Sequence, residues 1–235
     1  MKINFLFFLL SVFLQLSCSH TPIETEVDII LEDQNCYRDI AFGDINICLA
    51  EITDMTECYS SNIDVKTMLD NITLESSSTF AAYITDSQLE NSNGIKAIGL
   101  GEHVRVYVYN PMKNQSYTQS DLKNIGSSID NNYLKENWDR LKTKINTSDV
   151  TYNKAILIDS YSSNANTITK VLFTAFSQKA SEDYYLVNTL NLVRIKNRII
   201  FLGYFNRYDG QNSVERAKKK NDDIIVSLLA KNKSL

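Results

Sequence analysis

Hydrophobic and polar positions along this chain recur in blocks, and the spacing inside each block dictates an element. Tyr37 to Ile40 and Ile45 to Leu49, on either side of Ala41-Phe42-Gly43-Asp44, predict an opening hairpin. Val65, Met68, Leu69 and Ile72 fall at helical spacing and predict a short helix over Asp64 to Ile72. Thr79 to Thr85 and His103 to Asn110 read as strands, separated by a loop that holds Asn93-Gly94, Gly99 and Gly101. Ser120-Asp121 then opens a helical region in which Leu122, Ile125, Ile129, Leu134, Trp138, Leu141 and Ile145 share one broad stripe, with Asn131-Asn132 as a point of division.

The second half reads as two hairpins and a helix. Ala155 to Tyr161 and Thr167 to Ser177 flank a Ser/Asn-rich turn, and Tyr184 to Arg194 faces Arg198 to Tyr208 across Ile195-Lys196-Asn197. Asn212 with Glu215 three residues on is a capping-box signature, and Val214, Ala217, Ile224, Ile225, Leu228 and Leu229 form the apolar face of a terminal helix. Val171 to Phe176 and Ile199 to Phe205 do not alternate, whereas a sheet with one wet face would. The expectation is an α+β fold, an antiparallel β-sheet flanked by helices on both faces in a three-layer α/β/α sandwich. This order of elements resembles the fold shared by the PsbP photosystem proteins, DcrB-type bacterial lipoproteins and a yeast Ran-binding protein. The likeness covers most of residues 36 to 231. It is carried mainly by Arg198 to Tyr208 running through Asp209-Gly210 into a helix that begins near Asn212. The resemblance implies a fold; the family has no common catalytic site to transfer.

The N-terminus has a different character. Lys2 precedes a predominantly apolar run from Ile3 to Leu14, shorter than the roughly 20 residues that span a bilayer, which marks a secretory signal. Leu16-Ser17-Cys18 resembles the lipobox of bacterial lipoproteins, although Gln15 stands where an aliphatic residue is usual and Leu14 lies one place further back. The resemblance implies that residues 1–17 are removed and that Cys18 is acylated with palmitate-like chains, each buried methylene adding about 0.8 kcal/mol of membrane affinity. Cutting after Ser19 instead would give a soluble secreted or periplasmic protein. Residues 18–35, with Glu24, Glu26, Asp28, Glu32 and Asp33, read as an acidic tether, and residues 36–231 as one domain. Ser19 follows the cysteine where enteric inner-membrane lipoproteins carry aspartate, so the resemblance places the protein at the outer membrane of a bacterial envelope.

Composition narrows the chemistry. The chain has 235 residues, 43% of them hydrophobic, and a formal charge of −4, so it folds and has no global basic field to gather nucleic acid. Beyond Cys18, the odd set Cys36, Cys48 and Cys58 faces an oxidising compartment and predicts one structural disulfide; Cys36 with Cys48 and Cys48 with Cys58 are both open pairings. No C-x-x-C is present, and the spacings suit neither a zinc site nor a redox pair, so neither metal nor cofactor is expected. Of two histidines, His20 lies in the tether, leaving His103 for any Ser-His-Asp or Cys-His mechanism. G-x-S-x-G, H-E-x-x-H, Walker A and G-x-G-x-x-G motifs are absent; Gly99-Leu100-Gly101 lacks the third glycine and precedes a strand. Sequons at Asn71, Asn114, Asn146 and Asn232 are expected by chance in so asparagine-rich a chain.

Alternation places His103, Arg105, Tyr107 and Tyr109 on one strand face and Val104, Val106 and Val108 on the other. That imidazole, guanidinium and pair of phenols are the candidate ligand-facing residues for an anionic or aromatic group; a half-exposed sheet face beneath a helix is the competing reading. Arg194, Lys196, Asn197, Arg198 and Arg207 concentrate around the last hairpin, a solvated basic turn or a surface for an acidic partner, and Lys218-Lys219-Lys220 reads as a solvated helix face. The functional expectation is a non-enzymatic, membrane-anchored envelope lipoprotein that binds a protein or small ligand. The alternatives are an immunity or adaptor protein for a secreted toxin, a hydrolase centred on His103, and a purely structural envelope component with no ligand.

Overall fold

The computed structural model describes residues 36–91, 101–134, 150–153, 155–178, 184–210 and 212–233. The leader, the tether, the Asn93-Gly94 loop and the stripe residues Trp138, Leu141 and Ile145 lie outside the described residues. β1 (Arg38–Phe42) and β2 (Ile45–Leu49) form a two-stranded antiparallel sheet in which Asp39 faces Cys48 and Phe42 faces Ile45. Gly43 turns between them at φ +66°, and a Cβ there would lie 2.9 Å from the Lys113 carbonyl oxygen.

The remaining strands are β3 (Met55–Glu57), β4 (Ser77–Thr85), β5 (His103–Tyr109), β6 (Val150–Tyr152), β7 (Ile156–Tyr161), β8 (Thr167–Gln178), β9 (Tyr184–Ile195) and β10 (Arg198–Arg207). They make one antiparallel sheet in the order β3-β4-β5-β10-β9-β8-β6, with β7 pairing β8 as well. The α-helices that lie wholly within the described residues are α1 (Ile63–Ile72), α2 (Asp86–Asn91), α3 (Gln119–Ser128) and α4 (Ser213–Lys231). The fold is therefore mixed α+β around an antiparallel sheet. β3, β6 and α2 were not expected, because elements of three to six residues are too short to show a period.

Local chemistry explains the boundaries. Asn62 caps α1 by accepting from the Asp64 and Val65 N–H groups, and Thr118 with Asp121 forms a reciprocal capping box on α3. Lys196 and Asn197 take φ of 45° and 60°, the left-handed pair of a tight two-residue hairpin between β9 and β10. The capping box expected at Asn212 does not form. Asn212 is already helical, at φ −86° and ψ −2°, so its side chain makes no cap bond. The Ser213 hydroxyl instead accepts from the Asp209 N–H at 2.9 Å and donates to the Asp209 carboxylate at 2.5 Å.

Packing accounts for the strands that fail to alternate. Ile200, Leu202 and Tyr204 of β10 join Val104, Val106, Phe42, Ile47, Ala217 and Leu228 in one apolar cluster. Ile199, of opposite parity, joins Leu192, Ile168, Leu122 of α3 and Ile129 just after it, while Ala82 and Ile84 of β4 join Val65 and Leu69 of α1. Gly126 lets α3 approach β8, since a Cβ there would lie 2.5 Å from Ile168. At the β4 edge, side chains replace a neighbouring strand. Arg38 donates to the Phe80 carbonyl at 2.9 Å and to the buried Glu57 carboxylate at 2.7 Å, and Glu57 accepts from the Tyr59 N–H at 2.9 Å.

Polar groups fix α4 to the sheet. The fully buried carboxamides of Asn191 and Asn221 bond reciprocally, Asn191 Nδ2 to Asn221 Oδ1 at 2.7 Å and Asn221 Nδ2 to Asn191 Oδ1 at 3.1 Å. Thr169 donates to Asn191 at 2.7 Å and Thr189 to Asn221 at 2.6 Å. At the far end of the helix, Asn232 accepts from the Cys48 N–H at 2.9 Å and donates to the Cys48 carbonyl at 2.7 Å. Replacing Asn221 with Ala removes both bonds between the carboxamides and leaves the buried Thr189 hydroxyl without its acceptor, while Asn191 keeps Thr169 and the Leu202 carbonyl. Urea denaturation should show a loss of about 1–3 kcal/mol, the cost of a buried donor without a partner.

Candidate functional site

The β5 face can be built residue by residue. Val104, Val106 and Val108 are fully buried on one side, as alternation requires. On the other side, register sets the partners: His103 stands opposite Phe205, and Tyr107 opposite Phe201. The His103 ring stacks on Phe205 at 4.4 Å between centroids, and Tyr107 stacks on Phe201 at 5.6 Å. Nδ1 of His103 lies 3.0 Å from the Gly101 carbonyl, which can only accept, so Nδ1 carries the proton of the neutral ring. Burial pushes the His103 pKa down to about 4, with the Gly101 contact opposing and the Arg105 charge assisting.

The other three residues divide between packing and surface. Arg105 donates to the Thr73 hydroxyl at 3.0 Å and the Thr79 hydroxyl at 3.2 Å, tying the end of α1 to β4. The Tyr107 phenol is pushed up to about 12 by burial, so it stays neutral. Tyr109 is 43% exposed at the strand end. Of two depressions, of about 390 and 330 Å3, the first is lined by Asp70, Ser77 and the Thr73 and Thr79 whose hydroxyls accept from Arg105, and the second by Glu51, Asp54, Tyr83 and Asp86. Neither is lined by a residue of β5.

The cysteines resolve one open question. Cys36 and Cys48 form a disulfide with Cα atoms 5.5 Å apart, so the thiol left over is Cys58. Cys58 is buried, and desolvation, reinforced by Glu57 and Asp86, pushes its pKa to about 11, which leaves almost no nucleophilic thiolate at neutral pH. Asp39 sits within ligand distance of Cys36 and Cys48, but those two sulfurs bond each other.

The basic residues are braces. Arg198, only 7% exposed, pairs with Asp44 and donates to Ser116 at 2.7 Å, while Arg194 donates to the Tyr117 carbonyl at 2.6 Å and Lys196 to the Asn46 carbonyl at 3.0 Å. The turn itself stays exposed at Lys196 and Asn197, as does Arg207, while Arg194 and Arg198 are braced to distant segments, Arg198 by a carboxylate. Lys218 likewise bonds Asp159 at 3.0 Å and Lys220 the Thr53 carbonyl at 3.0 Å, leaving Lys219 exposed.

One surface escaped the sequence reading. Ile156, Ile158 and Tyr185 expose 54%, 45% and 44% of their surface at one end of the sheet. Ile156-Leu157-Ile158 looks like any core run; only the edge position of β7 exposes it.

His103 has a measurable signature. Its folded pKa lies below the ordinary 6.5, so between pH 6.5 and about 4 the unfolded chain takes a proton that the folded chain refuses. Unfolding free energy should therefore fall on acidification through that window, and His103→Asn should remove that part of the slope in paired denaturation curves. Against known proteins, no family model matches the chain and no curated sequence is similar to it.

Proposed function

We propose that this chain is a lipid-anchored, non-enzymatic protein of the bacterial envelope, held through Cys18 at the outer membrane, with one three-layer α/β/α domain of the PsbP/DcrB type that binds a partner. The observation that carries the reading is the state of His103. The histidine on which a hydrolase would depend is buried, neutral, stacked on Phe205 and bonded to the Gly101 carbonyl. A general base needs a nucleophile within hydrogen-bond reach, and among the described residues His103 has this carbonyl alone. Opposite-parity residues of β10 packing with α3 and with α4 support the three layers. The Leu16-Ser17-Cys18 sequence supports the anchor, and among the described residues no helix is long and apolar enough to cross a membrane.

A second reading, an immunity or adaptor protein for a secreted toxin, is favoured by the exposed Ile156, Ile158 and Tyr185. It keeps the anchor and specifies a protein partner.

Metabolic labelling with palmitate should mark the wild-type chain and leave Cys18→Ala unlabelled and in the soluble fraction. Unlabelled wild-type protein refutes the anchor. Purified domain should fail to react with a fluorophosphonate probe; a reaction abolished by His103→Asn would overturn the non-enzymatic reading.

A further inference from the structure

The Cys36–Cys48 disulfide gives Asp39 nothing to bond. Register sets Asp39 directly opposite Cys48, so the two side chains share the outer face of the β1-β2 hairpin, and Asp39 Oδ1 lies 3.3 Å from Cys36 Sγ. A disulfide sulfur has no proton to offer, so acceptor faces acceptor there. Among the described residues no cation pairs with this carboxylate. Both sulfurs and a carboxylate oxygen nevertheless lie within 4.8 Å of one another. We propose that Cys36, Asp39 and Cys48 form a redox-gated zinc site, closed as the disulfide and opened when a dithiol reduces it.

In the opening step the dithiol is oxidised to its own disulfide, the bond between Cys36 and Cys48 breaks, and the two protons of the dithiol end on the freed sulfurs. Zinc then displaces those protons to solvent and is held by two thiolates and the Asp39 carboxylate. Two thiolates select a thiophilic ion over calcium or magnesium, and the carboxylate oxygen favours zinc over copper(I). Three protein ligands leave a fourth position for water or for a donor atom of a partner.

Geometry asks for one small movement. Tetrahedral zinc holds a sulfur and an oxygen about 3.5 Å apart and two sulfurs about 3.8 Å apart. The spacing of Asp39 and Cys36 is already close to the first, so only the sulfurs must part. Cys36 precedes β1 and lies outside the ladder, where it can make that shift. The other two ligands are held without the disulfide: the β1-β2 ladder positions Asp39, Asn232 grips both backbone groups of Cys48, and Phe42 and Ile47 sit in the core. The site goes beyond the anchor and partner reading and does not depend on it.

The test reduces the purified full chain with a phosphine in the absence of air, removes the phosphine, and titrates in cadmium as a spectroscopic probe and zinc against a chromophoric chelator. The reduced chain should bind one equivalent of either ion, with the ultraviolet band of cadmium thiolate, and the oxidised chain none. It should also still unfold cooperatively in urea. Cys36→Ser should lose the band. Asp39→Asn keeps the disulfide and both thiols, and should weaken zinc at least about tenfold, since losing even an outer-shell partner costs that much. Cys58→Ser and Cys18→Ala should bind as wild type does. Equal binding by the oxidised chain, a band that Cys58→Ser abolishes, zinc affinity indifferent to Asp39→Asn, or a reduced chain that unfolds or binds nothing overturns the proposal. Palmitate labelling reads none of these outcomes, so the anchor and the zinc site stand or fall separately.

Discussion

The reciprocal bond between the Asn191 and Asn221 carboxamides sets how α4 lies on the sheet, and much else follows from it. Two amides out of water bond well only in one relative position, so a helix sliding by one residue along β9 would break both bonds between them and deprive Thr189 of its acceptor, although Asn191 would keep Thr169 and the Leu202 carbonyl. With Asn221 fixed, Lys218 falls one turn earlier beside Asp159, and the neighbouring Asp222 accepts from the Tyr161 hydroxyl at 3.0 Å. Eleven residues later, about 16 Å along the axis, Asn232 arrives at the Cys48 backbone. An apolar helix face alone would tolerate several registers. The buried polar pair selects one, which is the use of interior polarity that stability arguments overlook.

The same logic explains why β5 looks like a site in the sequence and behaves as core. His103, Arg105 and Tyr107 are all capable of chemistry, and alternation correctly assigns them one face. What alternation cannot reveal is the strand that pairs beside them. Phe205 and Phe201 lie about 100 residues further on, and their rings occupy the faces that a ligand would need. Desolvation then holds the imidazole neutral and the phenol protonated, removing both from acid–base work near neutral pH.

How much was legible follows from where each signal resides. Hairpins joined by Gly43 or by Lys196-Asn197 were readable because period and turn chemistry are local, as were α1, α3 and the face of α4. The short β3 and β6 were not, since three residues form a strand only when a longer neighbour imposes the geometry. The capping box at Asn212 does not form because Asn212 takes helical backbone angles, which the sequence does not reveal, and its side chain makes no cap bond. The bracing of Arg198 was not legible because its carboxylate comes from Asp44, in an earlier hairpin. The exposed isoleucines of β7 were invisible for the converse reason: an edge strand and a central strand have the same local pattern, and topology alone separates them.

The two ends of α4 are built for different tasks. The Asn232 clasp, the Lys196 bond to Asn46 and the Arg198–Asp44 pair bind the β1-β2 hairpin to the rest of the domain, and the Cys36–Cys48 disulfide closes the hairpin on itself. For a domain held through its N-terminal segment, as proposed here, any pull enters at Cys36. It passes through the disulfide to Cys48 and into α4 through Asn232, rather than peeling β1 away by breaking one ladder bond at a time. A helix of 19 residues, about 28 Å, separates that braced end from the Phe173, Tyr185 and Tyr208 surface.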